Sequence, residues 1–284
     1  MKNKIVLYTI ITNNYDELKE LPDKFIRKDI DYLCLTDDNS IISETYQIIK
    51  IDTIKNNPKL TQRYYKIVIN NYIKDYDISI YIDGKISIRN QELTQPQVSL
   101  YNFLFKLQEY DLVTFKHYKR DCIYKEGAVL LHPYKQIEVK ENVIPLIQKL
   151  KSENFPKKYS LNDTCILIRK HSDNIVKTME LWFSLVEKYS LRDQLSFMYC
   201  IWKNNTKIKL LESELQNIYF KTNPHLKIEK PHKYWKKKKI NWLECYDPYE
   251  NCPYYFNYKN RLCKWDLNDA CSEEHYKFLE IGKK

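Results

Sequence analysis

Isoleucines at positions 78, 80, 82, 86 and 88 alternate with small or polar residues, the period-two pattern of a strand buried on at least one face. The run breaks only at Asp83-Gly84-Lys85, so a charge pair sits where a core strand ends. Gly84 is one of only three glycines in the chain, and it stands where a backbone needs positive φ or where a ligand needs room to approach. Ligands of open α/β sheets bind at the carboxyl ends of strands, which makes Asp83 the first candidate for a site residue. An ordinary Asp-Gly hairpin turn with a solvated carboxylate accounts for the same pattern.

The apolar run from Ile5 to Ile11 has strand length and closes in the turn-rich Thr12-Asn13-Asn14-Tyr15. Further strands are expected over 31–36, ending in Asp37-Asp38-Asn39, and over 46–51. Asn57-Pro58 opens a helix expected to reach about Asn71, carrying Arg63, Tyr64 and Lys66. Residues 98–108 and 143–150 have helical spacing, and 111–115 is a short strand delivering Lys116-His117-Tyr118-Lys119-Arg120-Asp121. A strand over 164–168 leads into an amphipathic helix over 174–189, whose stripe of Ile175, Met179, Trp182 and Val186 reads as core. Ser190 is a cap for the next helix, with Asp193 in its first turn. Strands alternating with helices predict a largely parallel α/β sheet whose polar loops gather on one edge.

Composition narrows this picture. The 284 residues suffice for one large α/β domain or two small ones, and 43% hydrophobic with 30% charged residues is a globular balance. Twenty-five tyrosines provide apolar area with polar tips, suited to stacking on sugars or bases and to membrane interfaces. No apolar run approaches the roughly 18 residues of a membrane span, and Met1-Lys2-Asn3-Lys4 leads into a strand instead of a signal peptide, so a cytoplasmic protein is expected. The eight cysteines form no C-x-x-C pair and are expected as free thiols; Cys245, Cys252, Cys263 and Cys271 could bridge in a secreted protein. Three glycines cannot build G-x-G-x-x-G or a Walker A loop, so any phosphate site must use side chains, a metal or a helix N-terminus.

The net charge of +10 is concentrated late. Residues 221–239 hold eight lysines and one glutamate. The expected organisation is an α/β core over 1–211 and a basic, aromatic-rich appendage over 212–284. Lys236 to Lys239, beside Trp235 and Trp242, suit an anionic membrane surface, and less well nucleic acid; a solvated lysine face is the plain alternative.

One ordered set of segments goes further. Lys4 to Thr9 with Ile11-Thr12-Asn13-Asn14-Tyr15-Asp16, Leu35-Thr36-Asp37-Asp38, Arg63-Tyr64-Tyr65-Lys66, Tyr81-Ile82-Asp83-Gly84-Lys85, Phe115-Lys116-His117 with Arg120-Asp121-Cys122-Ile123-Tyr124, and Arg192-Asp193-Gln194-Leu195-Ser196-Phe197 occur in that order. Together they resemble the glycosyltransferase-like domain of plant mucilage-related and ceramidase-like proteins, also found in bacteria and viruses, over roughly residues 4 to 205. The resemblance implies a GT-A-like α/β fold that moves a hexose from a nucleotide-diphosphate sugar, expected to be a UDP-sugar, to a glycan or glycolipid hydroxyl. It implies an Asp-x-Asp motif at Asp83 holding Mn²⁺ or Mg²⁺, an Asp-Gln pair at Asp193 and Gln194, and His225 as a late metal ligand. By the same analogy Thr12 belongs to the donor site, Tyr15 stacks the base, and Asp37 or Asp38 binds base or ribose. Tyr15 as loop packing, Asp193 as a first-turn carboxylate and His225 as an exposed histidine are the bland alternatives.

Two departures from the family pattern matter. Lys85 stands where Asp-x-Asp has its second carboxylate, which weakens a metal grip and offers the phosphates a point charge instead. Asn13-Asn14 stands where relatives often carry Gly-Gly. The chemistry of sugar transfer agrees independently: charge builds on the leaving diphosphate, and Arg63, Lys66, Lys85, His117 and Arg120 supply cations on or near the sheet edge. Sugar-fold binding without turnover, and DNA-modifying transfer, are the competing readings.

Overall fold

The computed structural model describes residues 3–89, 100–131 and 140–226, together with the strand segments 237–239, 242–247, 252–257 and 263–264. The elements follow as β1 (Ile5–Ile11), β2 (Ile30–Thr36), β3 (Gln47–Lys50), α1 (Pro58–Ile67), β4 (Ile78–Ile82), β5 (Ile86–Ile88), β6 (Leu112–Lys116), α2 (Ile123–Leu131), α3 (Lys140–Ser152), β7 (Asn162–Lys170), α4 (Asp173–Lys188), α5 (Gln194–Lys203), β8 (Ile208–Leu211), α6 (Ser213–Tyr219), β9 (Phe220–Thr222), β10 (Lys237–Lys239), β11 (Trp242–Asp247), β12 (Cys252–Asn257) and β13 (Cys263–Lys264). They fall into two compact units, residues 1–118 with 162–228, and residues 119–161 with 229–284.

The first unit is built on a seven-stranded sheet in the order β3-β2-β1-β4-β7-β6-β8. All neighbours are parallel except at β7, which runs antiparallel to both β4 and β6. The α/β class with a mostly parallel sheet is therefore as expected, and the reversal at β7 brings the start of that strand to the edge where its neighbours end. One sheet face, including Leu7, Ile11, Ile78, Ile80, Ile82, Val113 and Phe115, packs with Tyr101, Phe103, Leu107, Tyr219 and Phe220 in one apolar cluster. Burial of each such side chain contributes about 1.5–3 kcal/mol. The other face carries Tyr8 and Tyr81 toward α1, and α1, α4 and α5 pack on one another there. Ile175, Met179, Trp182 and Val186 are all buried, so the α4 stripe is core.

Several local expectations are corrected. The helix opened by Asn57, whose side chain caps Leu60 N at 3.0 Å, ends at Ile67 and not near Asn71 because Val68 turns extended at φ −74 and ψ 140. The buried Arg169 reinforces that end: its guanidinium donates to the carbonyls of Ile67 (2.8 Å) and Lys66 (3.2 Å) and to Tyr8 Oη (2.5 Å). Residues 100–108 form a 3-10 helix, and 90–99 lie outside the described residues. Asp193 is the N-cap of α5, not a first-turn residue; Ser190 Oγ instead accepts from Arg192 N. Beyond residue 211, β9 pairs antiparallel with β5, and the first compact unit runs to residue 228.

The second unit contains α2, packed on α3, and a four-stranded antiparallel sheet β10-β11-β12-β13. Cys34, Cys122, Cys165, Cys200 and Cys245 are buried. Among the described residues no helix is long and apolar enough to cross a membrane.

Candidate active site

Because β1, β2, β4 and β6 are parallel, the residues that follow them emerge on one edge: Thr12, Asp37, Asp83 and His117. The antiparallel β7 adds Asp163 and Thr164 from its first turn of pleat, with Ile82 paired to Ile166. Period two along β4 carries Ser79, Tyr81 and Asp83 to the face covered by α1.

There the side chains converge. Lys66 Nζ, on a side chain only 1% exposed, lies 2.7 Å from Asp193 Oδ2, 3.3 Å from Thr164 Oγ1 and 3.5 Å from Asp83 Oδ1. Tyr81 Oη donates to Asp83 Oδ1 at 2.5 Å and accepts from Gln62 Nε2 at 2.7 Å. Thr164 Oγ1 donates to Asp193 Oδ2 at 3.1 Å. Arg63 Nε donates to Leu191 O at 3.0 Å and stands 3.7 Å from Asp193 Oδ2. Asp193 thus uses one oxygen to start α5, accepting from Gln194 N at 3.0 Å, and the other to hold the cations. Its carbonyl also takes the Trp182 indole N–H at 2.9 Å, tying the site to the α4 core. Gln194 Oε1 is buried with no hydrogen-bond partner among the described residues.

The electrostatics follow from these distances. Burial alone would raise Asp83 and Asp193, but it is outweighed: Lys66, Lys85, Arg63 and the Tyr81 hydroxyl hold Asp83 below its ordinary value, and Arg63 and Lys66 hold Asp193 far below. Burial is likewise outweighed at Arg63, which Asp193 and Asp83 keep charged. Lys85 is raised above its ordinary value; at neutral pH, where the Cys165 thiol is uncharged, the anions acting on it are Asp83 and Asp163. Burial first, then Asp163 and Asp83, push the Cys165 thiol well above its ordinary range, so it is protonated at neutral pH. A carboxylate as depressed as Asp193 is a poor general base near neutrality; its geometry is that of a group that orients Lys66 and Arg63.

The loop after β1 is shaped by Asn13 and Asn14 in the left-handed region, at φ 54 and 50, a conformation asparagine tolerates. Thr12 Oγ1 donates to Pro58 O at 2.9 Å, and Asp37 Oδ1 accepts from Asn13 N at 2.8 Å, so both expected donor-site residues brace the loop. Asp38 caps its own turn through Ser40. Tyr15 packs against the His225 ring at 4.4 Å between centroids, and His225 Nδ1 lies 2.5 Å from Asp16 Oδ1. Gly84 does not adopt positive φ. Its smallness is needed for close approach, since a Cβ there would lie 3.0 Å from Asp16 Cβ and 3.1 Å from Ile11 Cγ1.

Among the expected site residues, Asp83, Asp193, Arg63 and Lys66 thus form one cluster, Lys85 acts on it electrostatically, and Gln194 adjoins Asp193. His117 stands at the end of β6, stacked on Tyr118 at 5.2 Å. Arg120 belongs to the second unit, where its guanidinium is paired with the buried carboxylate of Glu126. Lys236 lies outside the described residues, and Lys237–Lys239 form β10. Sequence reasoning did not single out Tyr81, Thr164, Asp163 or Asp16. Tyr81 carried a signal, two residues before Asp83 on the same strand face; Asp163 and Thr164 carried none, because nothing local announces that β7 is reversed.

A divalent cation does not fit this donor set. One oxygen of Asp83 is already held by Tyr81 and Lys66, His225 is engaged by Asp16, and no group of three or more His, Cys, Asp or Glu side chains among the described residues is placed to hold a metal.

The fold is an α/β domain with a mostly parallel sheet and charged side chains convergent at its carboxyl edge. The chain belongs to the TOD1/MUCI70, glycosyltransferase-like domain family, whose model matches residues 2–225. Among solved structures it matches the apo structure of the bifunctional glycosyltransferase WbbM at 11% identity and a TM-score of 0.38, covering 74% of this chain and 39% of that one. A comparison with curated proteins gives no match.

Proposed function

We propose that the protein is a glycosyltransferase that moves a hexose from a nucleotide-diphosphate sugar, a UDP-sugar, to the hydroxyl of a glycan or glycolipid. The observation that carries the reading is the buried Lys66–Asp83–Asp193 cluster at the carboxyl edge of a sheet whose chain belongs to a glycosyltransferase-like family. In the reaction the bond from the anomeric carbon to the diphosphate oxygen breaks, the diphosphate leaving with the electron pair, while the acceptor oxygen bonds to that carbon and its proton passes to the released diphosphate, directly or through water. Asp83, the more exposed of the two carboxylates, orients sugar hydroxyls as an acceptor-only group; Asp193 keeps Lys66 and Arg63 aligned; Gln194 accepts a hydroxyl hydrogen bond.

The direct test is a panel of nucleotide sugars, with and without Mn²⁺, assayed for transfer and for hydrolysis. The expected result is turnover of one donor that Asp83→Asn abolishes without loss of folding. Turnover unchanged in Asp83→Asn would remove that residue from the site, and no turnover of any donor would reject the enzyme. A second reading, sugar binding without catalysis, is favoured by the engagement of both carboxylates by Lys66. Asp83-dependent release of UDP from a donor, however slow, would count against it.

A further inference from the structure

We propose that the donor diphosphate is neutralised by protein cations, Lys85 foremost with Lys66 and Arg63 behind it, and not by a divalent metal ion. The inference rests on the nucleotide-sugar reading above and adds what holds the phosphates. Four cationic side chains act on this edge, Arg63, Lys66, Lys85 and Arg192, against the three carboxylates Asp83, Asp163 and Asp193. The fourth nearby carboxylate, Asp16, is paired with His225. A metal site needs an excess of anionic donors, and here the carboxylates are already balanced by the chain's own cations.

Lys85 is the member placed for the role. Lys66 is 1% exposed and Arg63 16%, both turned onto Asp193, whereas Lys85 is only partly buried and follows Asp83 by two residues. Its backbone is pinned: Lys85 O accepts from Asn223 N at 2.8 Å and from Asn223 Nδ2 at 3.0 Å, and Asp83 O accepts from Ile86 N at 2.8 Å. The backbone of the turn that carries the ammonium is thus fixed before any ligand arrives, so only the Lys85 side chain has to be ordered when phosphate oxygens bind. Lys85, raised above its ordinary value, carries its full charge at neutral pH. Lysine at the position of a second Asp-x-Asp carboxylate therefore replaces a recruited charge with a resident one.

The test is isothermal titration of the full chain with UDP, GDP and ADP in EDTA and again in Mn²⁺. The diphosphate that binds is expected to do so with affinities within about two-fold of each other in the two conditions. Lys85→Ala is expected to weaken it about ten-fold or more in EDTA, and Lys85→Asp, which restores an acidic pair, to bind only when Mn²⁺ is present. Wild-type binding that disappears in EDTA and returns with Mn²⁺ would overturn the inference while leaving the nucleotide-sugar reading intact. So would unchanged affinity in Lys85→Ala. Absence of binding by all three nucleotides in both conditions would reject the nucleotide-sugar reading itself, and this inference with it.

Discussion

Lys66 Nζ and Asp193 Oδ2 meet at 2.7 Å with both side chains almost wholly removed from water, although one belongs to α1 and the other caps α5. Such a pair gains little net stability over an apolar substitute, because desolvation offsets attraction, but removing one partner strands the other. Lys66→Met and Asp193→Asn are each expected to destabilise the protein by about 3–5 kcal/mol. The double variant should cost clearly less than the sum, and urea denaturation of the four proteins measures the coupling. Additive losses would mean that the two groups do not depend on each other. The exposed Lys55–Glu187 pair, by contrast, should be worth less than about 1 kcal/mol.

Acid should act in two windows with distinct owners. Burial first, and then Arg169, lower His171 from 6.5 to about 4. Between those values the unfolded chain takes a proton that the folded one refuses, so stability falls as pH drops from 6.5 and levels off near 4. His171→Asn should flatten that slope in a series of urea midpoints. Asp83 and Asp193 have folded values below 3.8; their contribution is complete above 3.8 and is lost only as pH falls through the folded values. That second loss should persist in His171→Asn and shrink in Asp193→Asn.

Gly84→Ala and Gly127→Ala are expected to differ. At position 84 the new methyl meets Asp16 Cβ and Ile11 Cγ1 at 3.0 and 3.1 Å, close to the chain and slow to give way, for a cost of about 1–3 kcal/mol. Gly127 lies within α2, where the nearest atoms are the end of the Ile147 side chain at 3.2 Å and Val143 Cγ1 at 3.4 Å, both side-chain atoms and not backbone, and where alanine gains about 1 kcal/mol of helix propensity. Thermal unfolding should show a clear fall for the first and little change for the second. Equal losses would contradict the close approach of Asp16 to the turn.

Arg169→Lys tests the support behind the site. One ammonium cannot reproduce the guanidinium's bonds to Lys66 O, Ile67 O and Tyr8 Oη, so about 1–3 kcal/mol should be lost despite the retained charge. The end of α1 should also exchange its amide protons faster. Unchanged stability would show that the α1 carbonyls find other donors.

Much of this was legible in the chain itself. Apolar runs of strand length placed β1, β2 and β6, isoleucines at period two placed β4, and the 3.6-residue stripe placed α4, because burial is a demand that each segment meets locally. Asp83 could be singled out because it interrupts such a run at a strand end. The ordered motifs pointed to the family on the strength of residues widely spaced in the chain. The reversal of β7 was not legible, since an apolar strand reads the same in either direction, and with it went Asp163 and Thr164. Nor was the partner of a charge: Arg120 and Lys66 are both cations beside polar loops, yet one is spent on Glu126 and the other joins two buried carboxylates. Local pattern determined which faces are buried and where the strands end, because hydrophobic periodicity is a property of neighbours. Only the tertiary structure decided which charges share a low-dielectric space, because Coulomb energy depends on distance through the fold and not along the chain.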